Sequence, residues 1–405
     1  MKKTSFFALL IAAAITLTGC AKDTVSSGGD SVTNGSAAGS PADSAETMIE
    51  MTSQELVSAM RIGWNLGNTL DVCQADRDGD GRIDEHVEEG EEVDETLWGN
   101  PFATQELFSA LWEDGVNAVR LPVTWRDHID EAGNINAEWL DRVQTVVDYA
   151  YDLGMYVIIN IHHDGGGDPQ FGAWISNAAS DYDGTIARYR TLWTQIAQRF
   201  ENYGERLVFE SLNEVGFENM PQDSAYELLG KINQEFVDLI RSSGGNNPSR
   251  HLLIAGYWTD IEMTCNSGFS MPDDPAGKSI ISVHYYTPWQ FCTTNIQNEW
   301  GTAAEERQME TLIGKMKTTF TDNGIPVIIG EYGTGGNDRD SVIFFCEKLV
   351  KMCDDYGIAT FLWDNGAQVD RYTYEWRIPA LLEALQRATS GEEYTPVKGA
   401  GGIAA

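Results

Sequence analysis

The 405-residue chain is poor in positive charge: 27 lysines and arginines against 62 aspartates and glutamates leave a formal net charge of −35. Nucleic acid and anionic membrane surfaces need a basic face to hold them, so both are excluded as partners, while a neutral polymer is permitted. Cysteine is scarce as well, with six in the whole chain, so the fold cannot rest on a disulfide framework as small exported domains do. Long apolar runs are missing after the N-terminus, and the one run there, Phe6 to Leu17, is too short to span a bilayer. The glycines of Gly63-Trp64-Asn65-Leu66-Gly67 lack the spacing of a dinucleotide phosphate loop, and no His-Glu-x-x-His metal motif occurs.

What is present begins with Lys2 and Lys3, the apolar run, and then Leu17-Thr18-Gly19-Cys20. This is the pattern of an export signal over residues 1–19, and Cys after Leu-Thr-Gly resembles the bacterial lipobox, in which Cys20 becomes the acylated first residue. Residues 20–50 are rich in Ser, Gly, Ala, Asp and Thr and lack aromatics, so they read as a flexible tether. An exported protein held on the cell envelope, at the outer membrane or cell surface, by lipid on Cys20 alone is the expectation. Five cysteines then remain, an odd number, so at least one is unpaired. Cys346 and Cys353 lie seven apart on a predicted helix, about 10 Å along its axis, too far to bridge. Cys265 with Cys292 is the one candidate pair.

From residue 60 onward, short β-branched apolar runs alternate with segments of helical period. The predicted strands are Ile62–Leu66, Ala118–Val123, Tyr156–Ile161, Leu207–Leu212, Leu252–Ala255, Ile280–Val283, Val327–Ile329 and Ala359–Leu362. Most are continuously apolar, as in a parallel sheet covered on both faces. Between them, Trp139, Val143, Val146, Val147 and Ala150 recur at helical spacing, as do Tyr189, Leu192, Trp193, Ile196 and Phe200; Leu229, Ile232, Phe236 and Leu239; and Met309, Leu312, Ile313, Met316 and Phe320. Eight strands alternating with helices predict an α/β fold, a (β/α)8 TIM barrel forming one domain over residues 51–390, with an acidic insertion at 71–95 and a flexible tail at 391–405. A doubly wound open sheet is the alternative, and the missing phosphate loop speaks against it.

In a TIM barrel the active site lies at the C-terminal ends of the strands. Reactive side chains follow nearly every predicted strand: Arg120 on the second, His162-His163-Asp164 after the third, Asn213-Glu214 after the fourth, His284-Tyr285-Tyr286 after the sixth, Glu331 after the seventh and Trp363-Asp364-Asn365 at the eighth. A lone glutamate at a strand end orients loops more often than it catalyses. Two of them, joined by Arg, His, Asn, Tyr and Trp from other strands, form the set that glycosidic cleavage demands: one proton donor for the departing oxygen, one carboxylate for the anomeric carbon.

This constellation resembles glycoside hydrolase family 5, the cellulase family of retaining (β/α)8 enzymes, over Gly63 to Trp363; Leu212-Asn213-Glu214 and Gly330-Glu331-Tyr332 are the most specific segments. Gly63 through Asp71 and Trp98-Gly99-Asn100-Pro101 resemble its endoglucanase and xyloglucanase members. The resemblance implies Glu214 as acid/base, Glu331 as nucleophile, Asn213 on the sugar 2-hydroxyl, Arg120 holding Glu331 ionised, and His162, His284 and Tyr286 around the bound sugar. It makes Trp363 the platform beneath that sugar and His163, Asn65 and Trp64 further sugar contacts. Carboxyl groups about 5 to 5.5 Å apart and retention of configuration are expected. Of Trp64, Trp98, Trp125, Trp174, Trp258, Trp289 and Trp363, some should line a cleft, because pyranose C–H faces stack on aromatics.

The implied function is endo-acting cleavage of β-1,4-glucans (cellulose, mixed-linkage glucan or xyloglucan) by a monomer needing no cofactor. A mannanase or xylanase, or a non-catalytic glycan-binding lipoprotein, is the alternative. Two metal readings stand beside it. His162-His163-Asp164 could ligate zinc, as in a metal-dependent deacetylase. Asp76-Arg77-Asp78-Gly79-Asp80-Gly81-Arg82-Ile83-Asp84 matches the start of a calcium loop, with Asp76, Asp78 and Asp80 as ligands, but Val87 stands at the closing position unless Glu85 or Glu88 substitutes. Residues 71–95 carry 12 acidic and 2 basic side chains, so nonspecific attraction of counter-ions is the plain alternative.

Overall fold

The computed structural model describes residues 45–76, 86–87, 92–165, 172–336 and 338–399; Cys20, Asp78, Asp80, Glu85 and Glu88 lie outside them. In chain order the described elements are α1 (Ser53–Ala59), β1 (Gly63–Leu66), α2 (Gln105–Glu113), β2 (Ala118–Leu121), α3 (Ala137–Tyr151), β3 (Tyr156–Asn160), α4 (Tyr182–Arg199), β4 (Leu207–Glu210), α5 (Gln222–Ser242), β5 (Leu252–Ala255), α6 (Ile261–Thr264), β6 (Ser279–Tyr285), α7 (Trp289–Cys292), α8 (Ala303–Thr319), β7 (Val327–Tyr332), α9 (Arg339–Asp355), β8 (Ala359–Asp364) and α10 (Pro379–Ala388). The eight strands pair in sequence order, all parallel, and β8 closes on β1. The (β/α)8 barrel expected from the strand and helix rhythm is therefore the fold, with one thin place: between β5 and β6 the helical segment is reduced to the 3-10 turn Tyr257–Thr259 and the four-residue α6.

The apolar strands conceal a period of two. On β2, β3 and β4, Val119, Val157, Ile159, Leu207 and Phe209 pack outward into the cluster shared with the helices. Ala118, Ile158 and Val208 alternate with them and join Leu253, Ile280, Ile328 and Phe361 in a second cluster that fills the barrel's lower interior. Alternation of side chains along a strand then puts Arg120, Asn160, Glu210 and Ser282, two residues on from Ala118, Ile158, Val208 and Ile280, in the next interior layer. All four are buried. Helix α1 seals the lower end with Leu56, Val57 and Met60. A reciprocal cap starts it: Thr52 accepts from the Glu55 main-chain N–H at 3.2 Å, and Glu55 accepts from that of Thr52 at 2.7 Å.

The ordered body is wider than residues 51–390. Within the stretch read as tether, Glu46 donates its main-chain N–H to Asn202 (2.9 Å) and Ile49 donates to Glu205 (2.9 Å). Within the stretch read as tail, the Tyr394 hydroxyl donates to Glu347 on α9 (2.9 Å). Polar main-chain and hydroxyl anchoring of this kind leaves no trace in composition. All five described cysteines are free thiols, which corrects the Cys265–Cys292 pairing. Cys265 interacts with Thr319 at the end of α8, whereas Cys292 neighbours Cys346 on α9, so the two serve different packing faces.

Candidate active site

The interior layer above the apolar fill is a connected set of charges and hydrogen bonds centred on Arg120, which is fully buried. Its Nε donates to Glu210 (2.7 Å), Nη1 to Glu331 (2.7 Å) and to Asn65 (3.1 Å), and Nη2 to Asn213 (2.8 Å). Burial by itself would lower the guanidinium's affinity for its proton, but the Glu210 and Glu331 carboxylates outweigh it and hold Arg120 above its ordinary value. Glu331 thus has one oxygen on Arg120, while the other accepts from the Tyr286 hydroxyl at 2.9 Å. Burial, followed by the charges of Glu331 and Glu214, pushes that phenol well above its usual range, so it stays a donor.

Strict alternation along β7 would send Glu331 outward, because Ile328 faces in. A register shift prevents this. Val283 pairs with Ile329, but the next residue of β6, His284, pairs with Glu331, which leaves Gly330 as the extra residue of a bulge. Bulges re-aim side chains in this way beside active sites. Gly330 is tightly held: its carbonyl accepts from Asn65 at 3.0 Å, and a Cβ there would sit 3.3 Å from Ser282 Oγ and 3.4 Å from His284 Nε2.

Glu214 comes to the same point from the loop after β4. His284 Nδ1 lies 2.8 Å from Glu214 Oε1 and 3.7 Å from Glu331 Oε2, and an oxygen of each glutamate lies within 4.8 Å of the other. The two are unlike in setting, since the Glu214 side chain is 32% exposed and that of Glu331 only 7%. Glu214 also has a φ of 46°, in the left-handed region that costs a residue with a Cβ about 1 to 2 kcal/mol. Such strain is characteristic of functional positions.

The tautomers of both histidines follow from their surroundings. Asn160 Oδ1 accepts from the Val123 main-chain N–H (3.0 Å), so its amide nitrogen faces Glu210 (3.0 Å) and His162 Nδ1 (3.2 Å). His162 Nδ1 is therefore an acceptor, and Nε2 carries the proton. Burial, then His163 and Arg120, hold this ring neutral, well below the ordinary histidine value. His284 Nε2 is buried without a partner; a proton is better placed on Nδ1, where Glu214 accepts it.

Of the remaining sequence candidates, Trp363 is half-buried with its ring parallel to His162 (5.8 Å, 7°) and its edge over Gly67, where a Cβ would come within 2.7 Å. His163 packs between Trp98 and His162. Asn65 and Trp64 are fully buried. The Asn65 amide is engaged by Gly330 and Arg120, and the Trp64 indole N–H donates to Asp364 (3.0 Å), so both stand behind the cleft surface. Trp125 and Trp174 are core, donating to the Asn160 carbonyl (3.0 Å) and to Asp164 (2.6 Å). Trp98, Trp258 and Trp289 keep partial exposure.

The zinc reading of His162-His163-Asp164 does not assemble. Asp164 turns away to accept from the Trp125 main-chain N–H (2.6 Å) and from Trp174. Asp71 takes its place beside the two histidines, yet His162 has its free lone pair on Asn160 and a proton on Nε2, a donor set that does not fit a transition metal. The residues sequence reasoning missed are Glu210, Ser282 and Asp71; Asn160 was placed at the end of the third strand but given no role. Glu210, Asn160 and Ser282 carried a signal: each is a polar residue at the interior parity of an apolar strand.

The profile of the cellulase family, glycosyl hydrolase family 5, matches residues 84–369. Endoglucanase A of Paenibacillus barcinonensis is 35% identical over 355 residues, covering 80% of this chain and 85% of that protein. A broad specificity endoglucanase from an uncultured bovine rumen ciliate superposes with a TM-score of 0.75 at 37% identity, covering 85% of this chain and 99% of that one. A family 5 xyloglucanase from Paenibacillus pabuli does so with a TM-score of 0.73 at 33% identity, covering 82% and 99%. With two carboxylates converging at the C-terminal mouth of a closed parallel barrel, and with this likeness over most of its length, the chain belongs to the cellulase family, glycosyl hydrolase family 5.

Proposed function

We propose that the chain is a retaining, endo-acting β-1,4-glucanase in which Glu331 is the nucleophile and Glu214 the acid/base. The observation that carries this reading is the gap between the carboxylates, an oxygen of each lying within 4.8 Å of the other. That fits the close pair of a retaining enzyme, about 5 to 5.5 Å, and not the wider pair that leaves room for water in an inverting one.

In the first half-reaction a Glu331 oxygen bonds to the anomeric carbon as the bond from that carbon to the glycosidic oxygen breaks, and the departing oxygen takes the proton of Glu214. Arg120 and Tyr286 hold the two Glu331 oxygens at 2.7 and 2.9 Å, which fixes the direction of attack. His284 holds Oε1 of Glu214, leaving Oε2 to carry the acid proton. Asn213, its carbonyl oxygen taken by Arg120, keeps its amide N–H groups for the sugar 2-hydroxyl, and His162 offers Nε2–H. In the second half-reaction Glu214, now an anion, takes a proton from water, the water oxygen bonds to the anomeric carbon, and Glu331 leaves. Glu331 is a carboxylate before attack and an ester after it, and the one carboxyl of Glu214 serves first as acid and then as base.

A β-1,4-glucan backbone is the proposed substrate, supported by the names of the endoglucanase and xyloglucanase relatives; mannan and xylan are the alternatives. Reducing-end release over a panel of cellulosic glucan, mixed-linkage glucan, xyloglucan, mannan and xylan tests the substrate, and NMR of the first-formed anomer tests the stereochemistry. The β-anomer should appear first. The α-anomer first would overturn the mechanism, and turnover of any glucan disposes of a non-catalytic glycan-binding role.

Export with lipid on Cys20 is part of the same proposal; palmitate labelling lost in Cys20→Ala tests it. The chain is read as a monomer, tested by light scattering. The Asp76–Asp84 segment is read as a degenerate calcium loop, and calorimetric titration with no calcium heat would remove it.

A further inference from the structure

Beyond the two carboxylates that do the chemistry, a third lies in the same buried layer. Glu210 ends β4 four residues before Glu214, and its side chain is wholly buried. One oxygen accepts from Arg120 Nε (2.7 Å) and from Asn160 Nδ2 (3.0 Å), and the other from Ser282 Oγ (2.7 Å). Every neighbour here is a donor, and among the described residues the one cation paired with Glu210 is Arg120, the same guanidinium that holds Glu331. Arg120 therefore divides one positive charge between two carboxylates.

We infer that Glu210 is a positioning residue acting through Arg120, one that tunes how firmly the guanidinium grips Glu331 and so sets the balance between forming and breaking the glycosyl ester. This rests on Glu331 being the nucleophile. An ionised carboxylate faced by an undivided guanidinium in a dry interior is a poorer nucleophile, because bonding to carbon gives up the charge that Arg120 stabilises. The same carboxylate is a better leaving group when the ester is hydrolysed. Sharing Arg120 with Glu210 weakens the grip and favours the first half-reaction.

The local chemistry allows a clean test. In Glu210→Gln the amide oxygen can keep the bonds from Arg120 and Asn160, and the amide nitrogen can donate to Ser282, whose hydroxyl can accept as well as donate. Charge is removed while the hydrogen bonds remain. The substrate is 2,4-dinitrophenyl β-cellobioside, whose good leaving group makes ester hydrolysis limiting for kcat, while kcat/KM reports ester formation. In Glu210→Gln, kcat/KM should fall on the order of tenfold while kcat holds or rises, and the acid limb of kcat/KM should move down by about one pH unit. The charged and titratable groups facing Glu331 in that profile are Arg120 from β2, Glu214 from the loop after β4, His284 and Tyr286 from β6 and its loop, and Asp71 from the loop after β1.

A structural role alone would lower kcat and kcat/KM together and leave the acid limb in place, and that result overturns the inference. Glu210→Asp keeps the charge and should keep the parent's acid limb. A displaced limb in that variant refutes the charge argument even if the Gln variant does not fold. Trapping the parent with 2,4-dinitrophenyl 2-deoxy-2-fluoro-β-cellobioside separates the two failures: a label on a residue other than Glu331 removes the nucleophile assignment itself, whereas a label on Glu331 with unsplit kinetics removes only the role of Glu210.

Discussion

Removing either glutamate should abolish turnover, yet the two removals should have different effects on the fold. Glu331→Ala deletes the acceptor of Arg120 Nη1 (2.7 Å) and of the Tyr286 hydroxyl (2.9 Å), both in the interior. Breaking a buried pair by removing one partner costs about 3 to 5 kcal/mol, and the retained bond from Arg120 to Glu210 argues for the lower end. Glu214→Gly also loses a bond, that of His284 at 2.8 Å, worth about 1 to 2 kcal/mol at a side chain one-third exposed to water. It relieves a left-handed φ of 46°, a gain of about 1 to 2 kcal/mol set against a smaller loss from the freer unfolded chain. The net change for Glu214→Gly should lie within about 1 kcal/mol of the parent. Thermal denaturation at neutral pH checks this, with a Tm fall on the order of 5 °C for Glu331→Ala and little movement for Glu214→Gly. Equal destabilisation of the two variants, or a Glu331→Ala protein as stable as the parent, would refute the reasoning.

Tyr286→Phe removes one donor to the nucleophile without altering packing. It should lower kcat/KM about tenfold to a hundredfold with a small fall in Tm, and an unaltered rate would mean that the hydroxyl does not act on Glu331. Gly330→Ala crowds Ser282 and His284 at the bulge that aims Glu331, so kcat should fall more than KM rises; steady-state kinetics with the parent's values would deny the bulge that function. Asp71 is buried, which raises its carboxyl to about 7 against the pull of the Thr69 and Asn68 main-chain N–H groups. The folded state then keeps a proton that the unfolded chain releases near 3.8, so Asp71 subtracts stability as pH climbs from about 4 to 7, and the cost persists above 7. Asp71→Asn should therefore gain on the parent between pH 5 and pH 8, on the order of 2 kcal/mol in unfolding free energy; parallel pH dependences of the two proteins would exclude this.

The local pattern of the chain carried the barrel and most of its mouth. Strand and helix periods depend on neighbouring residues, and each of the eight predicted strands overlaps an observed one, with Leu252–Ala255 matching at both ends. The ends slipped in both directions: β2, β3 and β4 stop short of the apolar residues Val123, Ile161 and Leu212 that were predicted to end them, whereas polar residues carry β6 on through His284 and Tyr285 and β7 through Glu331 and Tyr332. Asn65 and Trp64, which the family resemblance marks as sugar contacts, turn out to be fully buried, and position along a strand does not reveal such depth.

Periodicity and residue type over short stretches suffice for the fold class, the strand ends that face the cleft and the two glutamates at them. How those residues share their partners became visible in three dimensions: Arg120 split between Glu210 and Glu331, the bulge at Gly330 that turns Glu331 inward, the strained backbone under Glu214 and the proton position on His162. They arise where residues of different strands meet inside a closed barrel, Arg120 and Glu331 being 211 residues apart, and such meetings are set by register and burial, which no local pattern encodes.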